Sequence, residues 1–200
     1  MTFSLAFDCS SWLMSVAYRV SPEAPPAAIV RYSRDDLSYE LITVLQNLKL
    51  QGSGEVIIPL GPGSFTGLKV NLAIALGIKT ARKDLVACYG VSLIDLAKAL
   101  GKNVFVKITS DDYLLADPFS HSHKFLKSHD VEKVVCQSDP NEIIGIYCDL
   151  DFAVSGRPLR TRKSIAELLL DLKACWKEID REEVTLNYGL DVKFRKIKSE

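Results

Sequence analysis

The run Gly61-Pro62-Gly63-Ser64-Phe65-Thr66-Gly67 stands between an apolar segment, Val56–Leu60, and a long apolar helix candidate. Its glycines leave almost no side-chain bulk, and a turn from strand into helix aims backbone N–H groups at one place. Such a turn can cradle an anion or admit another chain. It can also serve geometry alone, as a tight βα connection capped by Ser64 or Thr66. Neither common nucleotide pattern fits. A P-loop needs lysine directly after its last glycine and then a hydroxyl, but here Gly67 is followed by Leu68, Lys69 and Val70. The dinucleotide pattern GxGxxG is also missed, because Gly63 and Gly67 stand one residue too far apart. Pro62 removes one N–H donor from any cradle.

On either side of the turn the chain reads as alternating structure. Phe3–Asp8, Leu13–Tyr18 and Ala27–Tyr32 are expected as an antiparallel meander, with Pro22, Pro25 and Pro26 confined to a loop. A helix starting at Asp35 or Asp36 carries Leu37, Leu41, Val44, Leu45 and Leu48 on one face. The helix after the turn, from about Leu68 to Thr80, carries Val70, Leu72, Ala73, Ile74, Ala75, Leu76 and Ile78 round nearly its whole circumference. A helix apolar all round is either buried on all sides or lies in an interface. In a chain this small a partner subunit covering one side is the favoured expectation, with an internal core helix as the alternative. Strand Leu85–Tyr89 and helix Leu93–Leu100 follow.

The order βββαβα is half of an actin-like ATPase or ribonuclease H-like α/β fold. Gly101-Lys102-Asn103 marks a boundary, giving an N-terminal lobe at 1–101 and a smaller C-terminal lobe at 102–200. In the second lobe Val104–Ile108, Tyr113–Ala116, Val131–Cys136 and Glu142–Cys148 read as strands. Arg162–Ile179 reads as one amphipathic helix, and Val184–Arg195 contains a last extended segment. No repeat of fixed period appears.

Composition narrows the function classes. Lysine plus arginine and aspartate plus glutamate each number 25, so no global charge draws the chain to nucleic acid or membrane. The five cysteines are scattered and never spaced as CxxC, and read as reduced thiols. No basic leader or membrane-spanning run is read, so a cytoplasmic protein away from membranes is expected. His121, His123 and His129 read as a solvated polar loop without metal-ligand spacing. No serine triad suggests itself, and Asp8 disfavours a Cys9 thiolate.

Taken together, these segments resemble the TsaB family, also called YeaZ, the non-catalytic subunit of bacterial threonylcarbamoyladenosine (t6A) synthesis. Its hallmark Gly-Pro-Gly-Ser-Phe-Thr-Gly-Leu-Arg is matched from Gly61 through Leu68, with Lys69 for the arginine. The opening Ile-Asp-Thr-Ser is echoed by Phe7-Asp8-Cys9-Ser10, the later Gly-Val-Ser by Gly90-Val91-Ser92, and a terminal Tyr-Leu-Arg faintly by Lys193-Phe194-Arg195. The resemblance covers about the first hundred residues. Leu37-Ser38-Tyr39 stands where the family carries His-Ser-Glu, and Ile108–Tyr113 lacks the family's Asp-Ala-Arg segment.

The resemblance implies an actin-like ATPase fold without catalysis, metal or cofactor of its own, ATP or ADP and Mg being bound by partners. Asp8-Cys9-Ser10-Ser11 stands where actin-like kinases have Asp-x-Gly-Thr, so Asp8 is expected to order its turn rather than hold a metal. The implied partners are a TsaD-like catalytic subunit, a TsaE-like ATPase and, through the complex, tRNA. A homodimer in isolation stays open. The implied partner-binding residues are Leu37, Leu41, Val44 and Leu48 on one helix and Leu72, Ala75, Leu76 and Lys79 on the next. Two basic clusters, Arg157, Arg160, Arg162 and Lys163, and Lys193, Arg195, Lys196 and Lys198, are candidates for RNA contact or a solvated surface. The competing reading is an actin-like nucleotide-binding ATPase or kinase that uses the Gly61–Gly67 turn.

Overall fold

A computed structural model describes residues 2–21, 23–31, 37–48, 51–82, 86–119, 122–137, 139, 143–146, 153–154, 157–158, 163–179 and 184–188. The meander forms as expected from β1 (Thr2–Asp8), β2 (Met14–Arg19) and β3 (Ala27–Arg31). After α1 (Leu37–Asn47), β4 (Ser53–Gly61) lies parallel to β1. The turn then feeds α2 (Phe65–Ala81), followed by β5 (Val86–Ser92) parallel to β4, and α3 (Leu93–Leu100).

Strand alternation sorts side chains to the two faces of this sheet. Phe3, Leu5 and Phe7 of β1 and Val56 and Ile58 of β4 face the cluster beneath α1 and α2. Ala6 and Ile57 point the other way, into a core shared with α3. That second core also takes in α5 (Ile165–Asp171), which packs on β1 and β2.

A second sheet begins at β6 (Asn103–Lys107), pairs antiparallel with β7 (Asp112–Asp117) and continues to β8 (Ser122–Lys127). Then α4 (Ser128–Gln137) leads to β9 (Ile143–Ile146), parallel to β6. The order β8-β7-β6-β9 thus repeats the order β3-β2-β1-β4. A two-strand ladder of β10 (Ala153–Val154) and β11 (Arg157–Pro158) follows, and β12 (Lys177–Glu178) pairs with β5 at the edge of the first sheet.

Two expectations for the second half are corrected. Val131–Cys136 is helix, not strand. The valine run suggests a strand, but Val131, Val134 and Val135 all pack on the cluster of Phe105 and Tyr113 while Lys133 is exposed, a spacing of three and four that a helix makes and a strand does not. The expected helix Arg162–Ile179 is only the short α5. Its start is set by a capping box, in which Ser164 Oγ accepts the Glu167 N–H and the Glu167 carboxylate accepts the Ser164 N–H. Its end comes at Leu172, followed by a 3-10 turn at Lys173–Cys175, because the open edge of β5 draws Lys177 and Glu178 into pairing. In the span expected as extended, residues 184–188 have no regular structure, and the rest of it lies outside the described residues.

Candidate functional site

The glycine turn and the hairpin between β1 and β2 form one buried unit. Asp8 is fully buried at the end of β1. One carboxylate oxygen accepts the Ser10 N–H and the Ser10 hydroxyl, both at 2.7 Å, and the other accepts the Ser11 hydroxyl at 2.6 Å. Asn71, buried on α2, accepts the Cys9 N–H at 3.0 Å, with its amide nitrogen 3.5 Å from Asp8. Burial pushes the Asp8 carboxyl above its usual range, and hydrogen bonds from Ser11, Ser10 and Asn71 oppose that rise. Asp8 orders its turn, as expected.

The glycines allow this unit to close. The Ser64 N–H donates to the Ser10 carbonyl oxygen at 2.9 Å, and Ser64 Oγ caps α2 by accepting the Gly67 N–H. A Cβ on Gly67 would stand 1.9 Å from the Cys9 carbonyl oxygen, and one on Gly63 would stand 2.8 Å from Ser10 Oγ. Gly61, at φ 101°, faces the Asn187 carbonyl oxygen, 1.9 Å from where its Cβ would be. Side chains are excluded here by the chain's own backbone. Of the uses open to the turn, close packing onto Cys9, Ser10 and Asn187 is the one seen. Of the two expected caps, Ser64 serves.

Cys9 is chemically quiet. Burial drives its thiol pKa far upward, and the neighbouring Asp8 carboxylate adds to the rise. The histidines do not read as a solvated loop. His123 lies on β8 with its ring edge-on to Phe125, and His129 opens α4 beside Asp130, while His121 lies outside the described residues. Among the described residues no group of three or more histidine, cysteine, aspartate or glutamate side chains gathers for a metal.

The helix pair supplies a second feature. Between α1 and α2 runs an apolar groove of about 620 Å³, with Phe3 and Leu5 at its floor and Ile42, Leu45, Ala73, Ile74, Gly77 and Ile78 among its walls. Ile42 is 43% exposed, and Ala73 and Gly77 are exposed too. Several residues expected at a partner face lie elsewhere. Leu41, Val44 and Ala75 are sealed in the chain's own core, so their expected partner contact is corrected. They form the inner faces of α1 and α2, and the sheet covers them. Leu48, Leu72 and Leu76 are half-buried against the same core. Lys79 Nζ donates to the Ile179 carbonyl oxygen at 3.0 Å. The Leu37 side chain lies outside the described residues.

Of the first basic cluster, Lys163 pairs with Asp171, which also takes Arg19 at 3.0 Å. Arg160 and Arg162, the Arg157 side chain and the whole second cluster lie outside the described residues. Sequence reasoning missed Asn71, whose signal is the one amide side chain of α2, four residues after Gly67. It also missed the groove-lining Ile42 and the cover of Asn187 and Tyr188 over the turn.

No protein-family model matches the chain, and no curated protein matches it. Solved structures do. YeaZ from Pseudomonas aeruginosa superposes with a TM-score of 0.53 at 20% identity, over 87% of this chain and 91% of that one. A second structure, an uncharacterized protein with similarity to peptidase YEAZ from Pseudomonas aeruginosa, gives 0.50 at 21% identity over the same shares. The chain has the YeaZ fold. That fold is actin-like, of the ribonuclease H type, and its two βββαβ sheets are the duplication described above. The match spans both sheets, beyond the first hundred residues that carry the motif resemblance. Among the described residues no helix is long and apolar enough to cross a membrane.

Proposed function

We propose that this chain is a divergent TsaB-type scaffold, which pairs with a TsaD-like catalytic subunit and supports t6A modification of tRNA. The observation that carries this reading is the outer face of the α1–α2 pair, an apolar groove rimmed by the small residues Ala73 and Gly77. Small residues let another helix approach closely, and an apolar strip of this kind gains free energy when a partner covers it. The motif match around Gly61–Gly67 and the YeaZ fold point the same way. A TsaE-like ATPase and tRNA would join through the complex, in the cytoplasm, with ATP and Mg held by the partners.

The rival reading, an ATPase using the glycine turn, is disfavoured by the same geometry. The Asp8 carboxylate is engaged by Ser10 and Ser11, and the turn's glycines are packed against Cys9, Ser10 and Asn187. The test is co-purification with the cell's TsaD-like protein, followed by tRNA modification with and without this chain. Ala73→Arg is expected to abolish pairing and leave the circular dichroism of the isolated chain unchanged, because residue 73 is exposed. A stable complex formed by Ala73→Arg, or full modification in the absence of the chain, overturns the proposal.

A further inference from the structure

Residues 184–188 have neither strand nor helix of their own, yet they lie across the glycine turn. The Asn187 N–H donates to the Leu60 carbonyl oxygen at 2.9 Å. The Tyr188 ring rests 4.6 Å from the Phe65 ring, and Val184 packs against the core beneath α1 and α2. Gly61, which faces the Asn187 carbonyl oxygen, is buried, whereas Thr185 and Asn187 are exposed.

We infer that residues 184–188 are a displaceable strap, an occupant from the chain itself that holds the glycine turn shut. The turn keeps its shape by bonds that the strap does not make: Ser64 to Ser10, the Ser64 cap on α2, and Asp8 within its hairpin. Lifting the strap therefore breaks contacts at Leu60, Gly61 and Phe65 and the packing of Val184, without breaking the bonds that shape the turn below. Exposed segments with few buried contacts are the ones that open locally while the core stays folded. Once lifted, the strap uncovers Leu60 and Gly61 and exposes the Phe65 ring further, opening the N-terminal side of the turn while Gly63 and Gly67 stay packed. This end of α2 lies roughly 12 Å or more from the groove at Ala73–Ile78, at about 1.5 Å per residue. The strap thus stands or falls independently of the pairing proposed above.

Amide hydrogen exchange on the full chain, paired with hydroxyl-radical labelling, tests this. Tyr188→Ala removes the ring contact and Asn187→Pro removes the N–H donor. In each variant, amides in 184–188 are expected to exchange at least about tenfold faster than in the parent, and labelling at Leu60 and Phe65 is expected to rise. Ser64 and the amides of β1 and β4 are expected to keep their parent rates. Unchanged exchange at 184–188 in both variants overturns the inference. So does acceleration of Ser64, β1 and β4 in step with the strap, because the segment would then be an inseparable part of the fold.

Discussion

At the residue scale, each glycine's role depends on what its missing Cβ would meet. At Gly67 it would meet the Cys9 carbonyl, a backbone atom that cannot step aside. Gly67→Ala is expected to cost about 3 kcal/mol, the upper end of overpacking penalties, seen as a lower urea midpoint. At exposed Gly77 nothing lies within reach, so Gly77→Ala is expected to stabilise the isolated chain by about 0.5–1 kcal/mol through helix propensity. Equal midpoints for the two variants would contradict this account. Asp8 sets a pH dependence. Its folded pKa is raised, so above the unfolded value of 3.8 the native state binds the extra proton, and stability falls as pH rises toward the folded pKa. Asp8→Asn removes that fall, so its stability relative to the parent is expected to improve from about pH 4 up to the folded pKa of Asp8 and to level off above it. A pH-independent difference in urea midpoints would refute the assignment. Asp8's role was legible from its missing glycine partner, whereas Asn71 emerged only once α2 was laid against the hairpin.

At the element scale, legibility followed local signals. The helix α3 was read to its residue bounds because Ser92 caps it and Gly101, at φ 62°, ends it. The turn was read for the same reason, but α2 starts at Phe65, three residues before the expected Leu68, because Ser64 caps it from within the turn. Misreadings arose where packing overrode local preference: the valines of α4 wind into a helix because a sheet face needs covering. The α5 cap offers a check at this scale. Ser164→Ala removes the acceptor for the Glu167 N–H and is expected to cost about 1 kcal/mol in denaturant unfolding. No measurable loss would mean that packing alone positions α5. The sequence placed Leu41 and Val44 on one face of α1 but not what covers that face, and only the angle of the helix to the sheet tells core from groove.

At the scale of the whole molecule, one core joins both sheets. Ala6 and Ile57 from the first sheet, Val104 and Leu114 from the second, and α3 and α5 share a single buried cluster. Leu169 in that cluster is buried. Leu169→Ala is expected to cost 2–5 kcal/mol and to lower the unfolding midpoint equally whether a probe reports on the first sheet or the second. Separate transitions would show that the cluster does not couple them. The sequence by itself determined the element order of the first half, the glycine turn with Ser64 or Thr66 as its cap, and the ordering role of Asp8, because each is carried by residues close together in the chain. The tertiary structure alone decided that the second half repeats the first, that β12 returns to the edge of β5, and that residues 184–188 close over the turn. Those outcomes depend on which distant surfaces remain uncovered, and a linear pattern of apolar residues does not record that.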